Sequence, residues 1–355
     1  MVTLGNKPLC SGCFSPIKRE PCKKCGFSEE SYKPDITALP CGTILMGNFI
    51  IGSVIGKGGF GITYRAYDFK LGKIIAIKEY FPIELAIRKQ SETELMVRDR
   101  KSAEMFKHGA EKFYNEASFV SQFSGNPNIV QVYQFFYENN TAYFTMEYLT
   151  GMTLKDYVCR CGTITAGQAV NIADKVANAL CETHRSNVLH RDVSPDNIML
   201  CRDGSVKLLD FGAARQVYPE GSQLLSVILK PGFAPLEQYM RNGKQDEWTD
   251  IYSLGASVFY GLTKRIPEDP QSRFEEDSEM DNSKYNLQPD LWNVIYTAMQ
   301  IRYADRYRTT AEFREALANI PIRRQEVKIP KVIPEATDAE KQNPVKKLLA
   351  KLFSS

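Results

Sequence analysis

Up to about residue 150 the apolar residues come in short β-branched and aromatic runs, and beyond it they recur at helical spacing. Asn48–Val54 and Ile62–Tyr67 predict two strands around a glycine turn, and Ile74–Lys78 predicts a third. Met105, Phe106, Phe113, Ala117 and Val120 predict a helix over 104–123. Ile129–Tyr137 and Thr141–Tyr148 predict a hairpin closed by Glu138, Asn139 and Asn140. After Gly151, helices are predicted at Ala166–Arg185, Asp250–Tyr260 and Leu291–Met299. Strands first and helices after give an α+β chain.

The order of these patterns divides the chain into four. Residues 1–30 carry paired cysteines, and 31–44, with two prolines and a glycine, read as a linker. Residues 45–320 form the body, and 321–355 form a flexible basic tail. A length of 355 residues allows two or three domains, or one large domain with appendages. With 43% hydrophobic and 25% charged residues, collagen-like, fully disordered and disulfide-dense small scaffolds are excluded. A net charge of +3 is too small to argue for nucleic acid, and none is expected as a partner. No stretch approaches the roughly 18–20 apolar residues of a membrane span. The first residues also lack the apolar core of a secretory signal, so the expected location is cytoplasmic.

Four motifs carry chemistry. Gly56-Lys57-Gly58-Gly59-Phe60-Gly61 lies between two predicted strands and fits G-x-G-x-x-G. Glycines there let the backbone approach phosphate oxygens, although a plain glycine hairpin reads equally well from this motif alone. It opens no helix, which argues against a dinucleotide fold. Lys78 ends the run Ile75-Ala76-Ile77, where a buried lysine calls for an anion; the plain alternative is a lysine reaching water. In His190-Arg191-Asp192-Val193-Ser194-Pro195-Asp196-Asn197, an Asp with an Asn five residues later can set a base and a metal ligand on one loop. Asp210-Phe211-Gly212 follows the apolar run Val206–Leu209, and an Asp at a strand end suits the hard cation Mg²⁺.

In this order and spacing the motifs resemble the eukaryotic-type protein kinase family, specifically its bacterial serine/threonine members, from about Leu45 to Ile320. The resemblance implies a bilobal fold with a five-stranded N-lobe sheet, one key helix, a helical C-lobe, and ATP in the cleft. It implies a protein serine/threonine kinase that autophosphorylates and acts on protein substrates, using ATP with Mg²⁺ or Mn²⁺. Gly56, Gly58 and Gly61 would cover the phosphates, with Ile55, Thr63 and Ala76 in the same ATP site. Lys78 would hold the α- and β-phosphates and pair with Glu116, with Glu104 and Glu111 as alternatives. Met146, Glu147 and Leu149 would form the adenine-side hinge. Asp192 would orient the hydroxyl and take its proton, and Asn197 and Asp210 would hold the metal ions. Arg191 would anchor a phosphorylated activation segment, with Ser226 as the phosphosite and Ser222 and Tyr218 as competitors. Trp248–Gly255 would form the family's central buried helix, where Asp250 would bond the catalytic-loop backbone, and Arg306 would pair with Glu237.

The sequence departs from the family pattern at three places. Thr63 replaces a valine, with its methyl still able to cover adenine. The segment between Lys78 and Glu116 is long and reads as a surface loop, or as a docking or regulatory insertion. Ser194 stands where serine/threonine kinases usually carry a lysine, while Lys230 stands where they usually carry a threonine. The polar residue and the cation are read as having exchanged places, so that Lys230 reaches the γ-phosphate and Ser194 completes the hydrogen bonds. The alternatives are a solvated loop lysine and a nucleotide-binding scaffold without turnover; a small-molecule kinase is the remaining rival.

Cys10-x-x-Cys13 and Cys22-x-x-Cys25 have the spacing of two zinc knuckles and resemble a small zinc ribbon, with disulfides and an iron–sulfur cluster as alternatives. Such a ribbon could bind a partner or hold the kinase. In the tail, Val345, Leu348, Leu349, Leu352 and Phe353 form an apolar stripe flanked by lysines. It could touch an anionic membrane weakly, dock on the kinase, or fray.

Overall fold

The computed structural model describes residues 2–4, 7–33, 35–211, 229–240 and 242–330. It separates two units, one of residues 1–125, 130–149 and 212–228, the other of 126–129, 150–211 and 229–355. Ser226 and the apolar stripe of the tail lie outside the described residues.

The first unit opens with a two-stranded ladder, β1 (Val2–Leu4) and β2 (Lys7–Leu9). Its main sheet comprises β3 (Ile44–Leu45), β4 (Phe49–Lys57), β5 (Gly61–Asp68) and β6 (Lys73–Tyr80), followed later in the chain by β9 (Val132–Glu138) and β10 (Thr141–Glu147). The spatial order β3-β4-β5-β6-β10-β9 is antiparallel throughout. The sheet thus has six strands rather than the expected five, because β3 pairs with β4 along two residues. Asn139 and Asn140 both take positive φ and close the β9–β10 hairpin, which is why asparagines occupy the turn. Helix α1 (Arg100–Ser121) begins four residues before the predicted start, because the Asp99 side chain caps the amide of Ser102. It lays Phe106 and Phe113 against Tyr80, and Phe113 against Phe144.

The segment expected as a surface loop before α1 is folded. Its short strands β7 (Ala86–Ile87) and β8 (Met96–Val97) pair, and Leu85 and Leu95 are buried. What holds it is Arg88, which is buried and grips the buried Glu79 carboxylate with both terminal guanidinium nitrogens. Arg88 also donates to the carbonyls of Thr37 and Thr93, at 2.7 and 3.1 Å. Glu79 further accepts from Tyr64 and Tyr143 hydroxyls at 2.8 and 2.6 Å. A buried ion pair is sustained only when its remaining valences are satisfied in this way. The stretch read as a linker is packed as well. Leu39 is buried and its amide donates to Tyr64 Oη at 3.0 Å, while Lys57 pairs with Asp35 at 2.5 Å.

The cysteine segment lies on this sheet. Ser53 N donates to Ser11 O at 3.0 Å, and Leu9 and Phe14 share an apolar cluster with Ile50 and Tyr67.

The second unit has a small sheet of β11 (Gly151–Thr153), β12 (Ile198–Cys201) and β13 (Val206–Leu208). Its helices are α2 (Leu154–Cys161), α3 (Ala166–Arg185), α4 (Leu236–Tyr239), α5 (Glu247–Thr263), α6 (Pro270–Glu275), α7 (Pro289–Ala298) and α8 (Thr310–Ala318). Every residue of α5 from Trp248 to Gly261 is buried, as the resemblance implied for Trp248–Gly255, and the helix is the core of the unit, packed against α3, α7 and α8. The first ten residues read as flexible tail run back onto α3. Gln325 N donates to Gly167 O at 3.0 Å, Arg324 pairs with Asp174 at 2.9 Å, and Val327 is buried. Among the described residues no helix is long and apolar enough to cross a membrane.

Arg88→Ala leaves Glu79 buried without its cation and is expected to cost about 3–5 kcal/mol of stability, read by denaturant unfolding. The double change Arg88→Met with Glu79→Gln should cost clearly less, because no bare charge remains buried.

Candidate active site

In the first unit, strand register sets the candidate residues in rows. Gly56 lies opposite Thr63, Thr63 opposite Lys78, and Lys78 opposite Phe144. The next row runs Arg65, Ala76, Met146. Facing residues on adjacent strands share a side of the sheet, so Thr63, Ala76, Lys78 and Met146 are presented together. Ile55, Gly56 and Gly58 form the exposed end of β4 and the turn after it. The Glu79 carbonyl leaves no room for a Cβ at Gly61, so the fold itself demands that glycine. A Cβ would meet nothing within 4 Å at Gly58 or Gly59, and only Thr63 at 3.8 Å at Gly56. Neither packing nor a positive φ calls for glycine at these three positions. Glu116 is half-buried on the face of α1 that carries Phe113 and Ala117, whereas Glu104 and Glu111 are exposed. Glu147 closes β10 and is pinned by Gln131, whose amide donates to its carboxylate at 2.8 Å. Leu149 follows it, half-buried.

The four cysteine sulfurs lie within 4.8 Å of one another, with Cys10–Cys25 at 3.6 Å and Cys13–Cys22 at 3.8 Å. Zinc bonded tetrahedrally at about 2.3 Å sets sulfurs about 3.8 Å apart, so the group fits that ion. Backbone N–H groups of Cys25 and Lys24 bring the Cys22 thiol down to about 7, while burial pushes Cys25 up to about 12.

The second unit carries the loop His190–Asn197. Its anchor is Asp250, with no solvent exposure, which accepts from the amides of His190 and Arg191 at 2.8 and 2.7 Å and bonds His184 Nε2 at 2.7 Å. Arg191 has φ of 61°, and Gln238 Nε2 donates to its carbonyl at 2.9 Å. His190 is buried, donates from Nε2 to Leu209 O at 2.8 Å and accepts from the Asp192 amide at 3.2 Å. Burial lowers its pKa, which keeps the ring neutral. Asn197 Nδ2 donates to Asp192 O at 2.8 Å, which leaves the amide oxygen as the atom that Asn197 can offer a cation. Leu209 N donates to Asn197 O at 2.8 Å, and Asp210 follows with φ of 44°. Carboxylate and amide oxygens are the donor set that Mg²⁺ prefers, so Asp210 and Asn197 fit it.

Lys230 Nζ donates to the Oγ of the buried Ser194 at 2.6 Å and lies 3.3 Å from Asp192 Oδ1 and 3.8 Å from Asp196 Oδ2. Glu237 and Arg306 form a buried two-pronged pair at 2.7 and 3.1 Å, joined by Thr249.

The sequence matches the protein kinase domain family over residues 49–353. The chain belongs to the protein kinase family. Among curated relatives it is 31% identical to the serine/threonine-protein kinase PrkC of Bacillus subtilis, over 65% of this chain and 33% of that protein. It is 29% identical to the serine/threonine-protein kinase PknB of Mycobacterium tuberculosis strain H37Rv, over 84% of this chain and 46% of that protein. The chain therefore spans between a third and a half of these relatives. A solved structure of the apo form of PpkA-294 superposes with a TM-score of 0.72 at 35% identity, covering 79% of this chain and 99% of that one. The kinase domain of Mycobacterium tuberculosis PknI, 22% identical with a TM-score of 0.59, shares the fold.

Two residues beside the candidate site escaped the sequence reading. Lys155 pairs with Asp196 at 2.9 Å beside the catalytic loop, and no motif marks it. Arg65 lies two positions after Thr63, and that spacing on one strand was the available signal.

Burial pushes the His184 pKa down, but the hydrogen bond and charge of Asp250, with the charge of Glu247, outweigh it and raise it. For Asp250 burial acts upward, and the His184 bond and charge outweigh it and lower it. A histidine raised on folding contributes stability that is full below its unfolded pKa of about 6.5 and is lost as pH rises through the folded value. A depressed aspartate contributes above about 3.9 and loses its share as pH falls through the folded value. The melting-temperature difference between wild type and His184→Gln, in which the neutral His190 cancels, should be largest near pH 5–6 and shrink steadily above about pH 7.

Proposed function

We propose that this chain is an ATP-dependent protein serine/threonine kinase. The observation that carries the reading is the cation beside the catalytic loop. Position 194 lacks a lysine, yet Lys230 brings an ammonium within 3.3 Å of Asp192, hydrogen-bonded to Ser194. A chain that had lost phosphoryl transfer would have no need to replace that charge. The relatives named above as serine/threonine kinases support the same reading.

Asp192 takes the proton of a serine or threonine hydroxyl as its oxygen attacks the γ-phosphorus and the bond to the ADP oxygen breaks. Lys230 offsets negative charge on the transferring group, and the Ser194 hydroxyl holds the ammonium in place. Lys78 holds the α- and β-phosphates, oriented by Glu116. The backbone at Gly56, Gly58 and Gly61 covers the phosphates, and at Gly56 and Gly58 the fold does not itself require glycine. Asn197 and Asp210 hold Mg²⁺ or Mn²⁺, which when bound neutralises phosphate charge. Thr63, Ala76, Ile55 and Met146 enclose adenine, and Glu147 and Leu149 bond it. Arg191 receives a phosphorylated activation segment. Cys10, Cys13, Cys22 and Cys25 hold a structural zinc that stabilises a segment too short to fold by core burial.

Purified protein incubated with Mg²⁺-ATP should acquire phosphate on serine or threonine, mapped by mass spectrometry, and Asp192→Asn should not. Nucleotide binding without transfer in the wild type would instead establish a scaffold. Lys230→Ala is expected to lower kcat by about 10²-fold with little change in ATP KM; unchanged turnover would refute the exchange of roles with position 194.

A further inference from the structure

Arg65 stands in the row of Ala76 and Met146, on the side of the sheet that presents Thr63, yet its contacts run elsewhere. Its guanidinium donates to Gly12 O, between the first two cysteines, and to Tyr148 Oη in the hinge. The same group lies 4.4 Å from the Tyr148 ring centroid. One side chain therefore joins the cysteine segment to the strand end that would bond adenine. The segment is seated independently of this contact. Ser53 N donates to Ser11 O at 3.0 Å, and Phe14 packs 5.7 Å from the Tyr67 ring. A Cβ at Gly52 would fall 2.5 Å from Ser11 O and 2.7 Å from Phe14, so strand and segment meet backbone to backbone.

Electrostatics gives the joint a direction. Burial pulls the Arg65 pKa below its ordinary value, and Cys25, Cys13 and Cys10 act to restore it. Four thiolates around one Zn²⁺ would carry a net charge of about −2 close to the guanidinium. Without metal, the knuckle that presents Gly12 O loses the ion that would fold it.

We infer that Arg65 is a positioning residue for the nucleotide site and that it makes ATP affinity depend on metal in the cysteine cluster. With zinc bound, Gly12 O and the sulfur charge hold Arg65 outward over Tyr148, and the hinge is set before ATP arrives. Without zinc, Arg65 is released beside Thr63 and Ala76, and ordering the hinge is charged against binding. The inference rests on the zinc and ATP readings above, and its test separates the three.

The test uses the full chain. Zinc is removed with a zinc-selective chelator and the released metal quantified, and affinity for a fluorescent ATP analogue is measured before and after. In the wild type Kd should rise about threefold to tenfold on zinc removal, and ATP KM should rise likewise with kcat unchanged. Arg65→Gln should bind zinc normally, start with the weakened Kd, and change less than twofold on chelation. Tyr148→Phe keeps the ring, removes one acceptor and should fall between, which guards against misfolding of the Arg65 variant. An unchanged wild-type Kd on zinc loss, or an equal response in Arg65→Gln, overturns the coupling alone. Absence of zinc from the purified protein overturns it together with the metal reading, and absence of analogue binding overturns it together with the ATP reading.

Discussion

The carboxylate of Asp250 has no solvent exposure, and everything around the catalytic loop is referred to it. It accepts two backbone N–H bonds from consecutive residues and faces His184, so a charge that would be costly in the core is fully met. Those bonds also hold Arg191 at a φ of 61°, a conformation that costs a non-glycine residue roughly 1–2 kcal/mol. The chain turns there, and Asp192 leaves the turn in a fixed direction. His190 then ties the loop to Leu209, and Asn197 ties back to Asp192. Asp192, Asn197 and Asp210 are thereby parts of one hydrogen-bonded frame built on α5.

Much of this was legible because the determinants are local. The hairpin at Asn139–Asn140, the span of α3 and the four motifs depend on turn chemistry, capping and spacing within a few residues. Asp250 and the Glu237–Arg306 pair were reached through the family resemblance, which carries long-range pairing that periodicity does not. What escaped was the long-range pairing peculiar to this chain. Nothing near Arg88 in sequence announces Glu79, Thr37 and Thr93 as its partners, so its segment read as a loop and residues 31–44 as a linker.

The Ser194–Lys230 arrangement separates two properties that usually travel together. In the usual family pattern the cation is covalently part of the catalytic loop. Here the loop contributes a small buried hydroxyl, and the charge comes from a residue 36 positions later in the chain. The field at Asp192 then depends on how residues 229–235 are placed, which the amides of Phe233 and Ala234 stabilise by bonding back to Lys230 O.

Strand β6 carries opposite charges on adjacent residues, Lys78 on one side of the sheet and Glu79 on the other. The Glu79 side is closed by Arg88, Tyr64 and Tyr143, all committed to a carboxylate. Sliding the strand by one residue would drive an ammonium into that cage and leave Arg88 facing a like charge. The ion pair that fastens the insertion thus also locks the register of β6, and holds Lys78 to the opposite face.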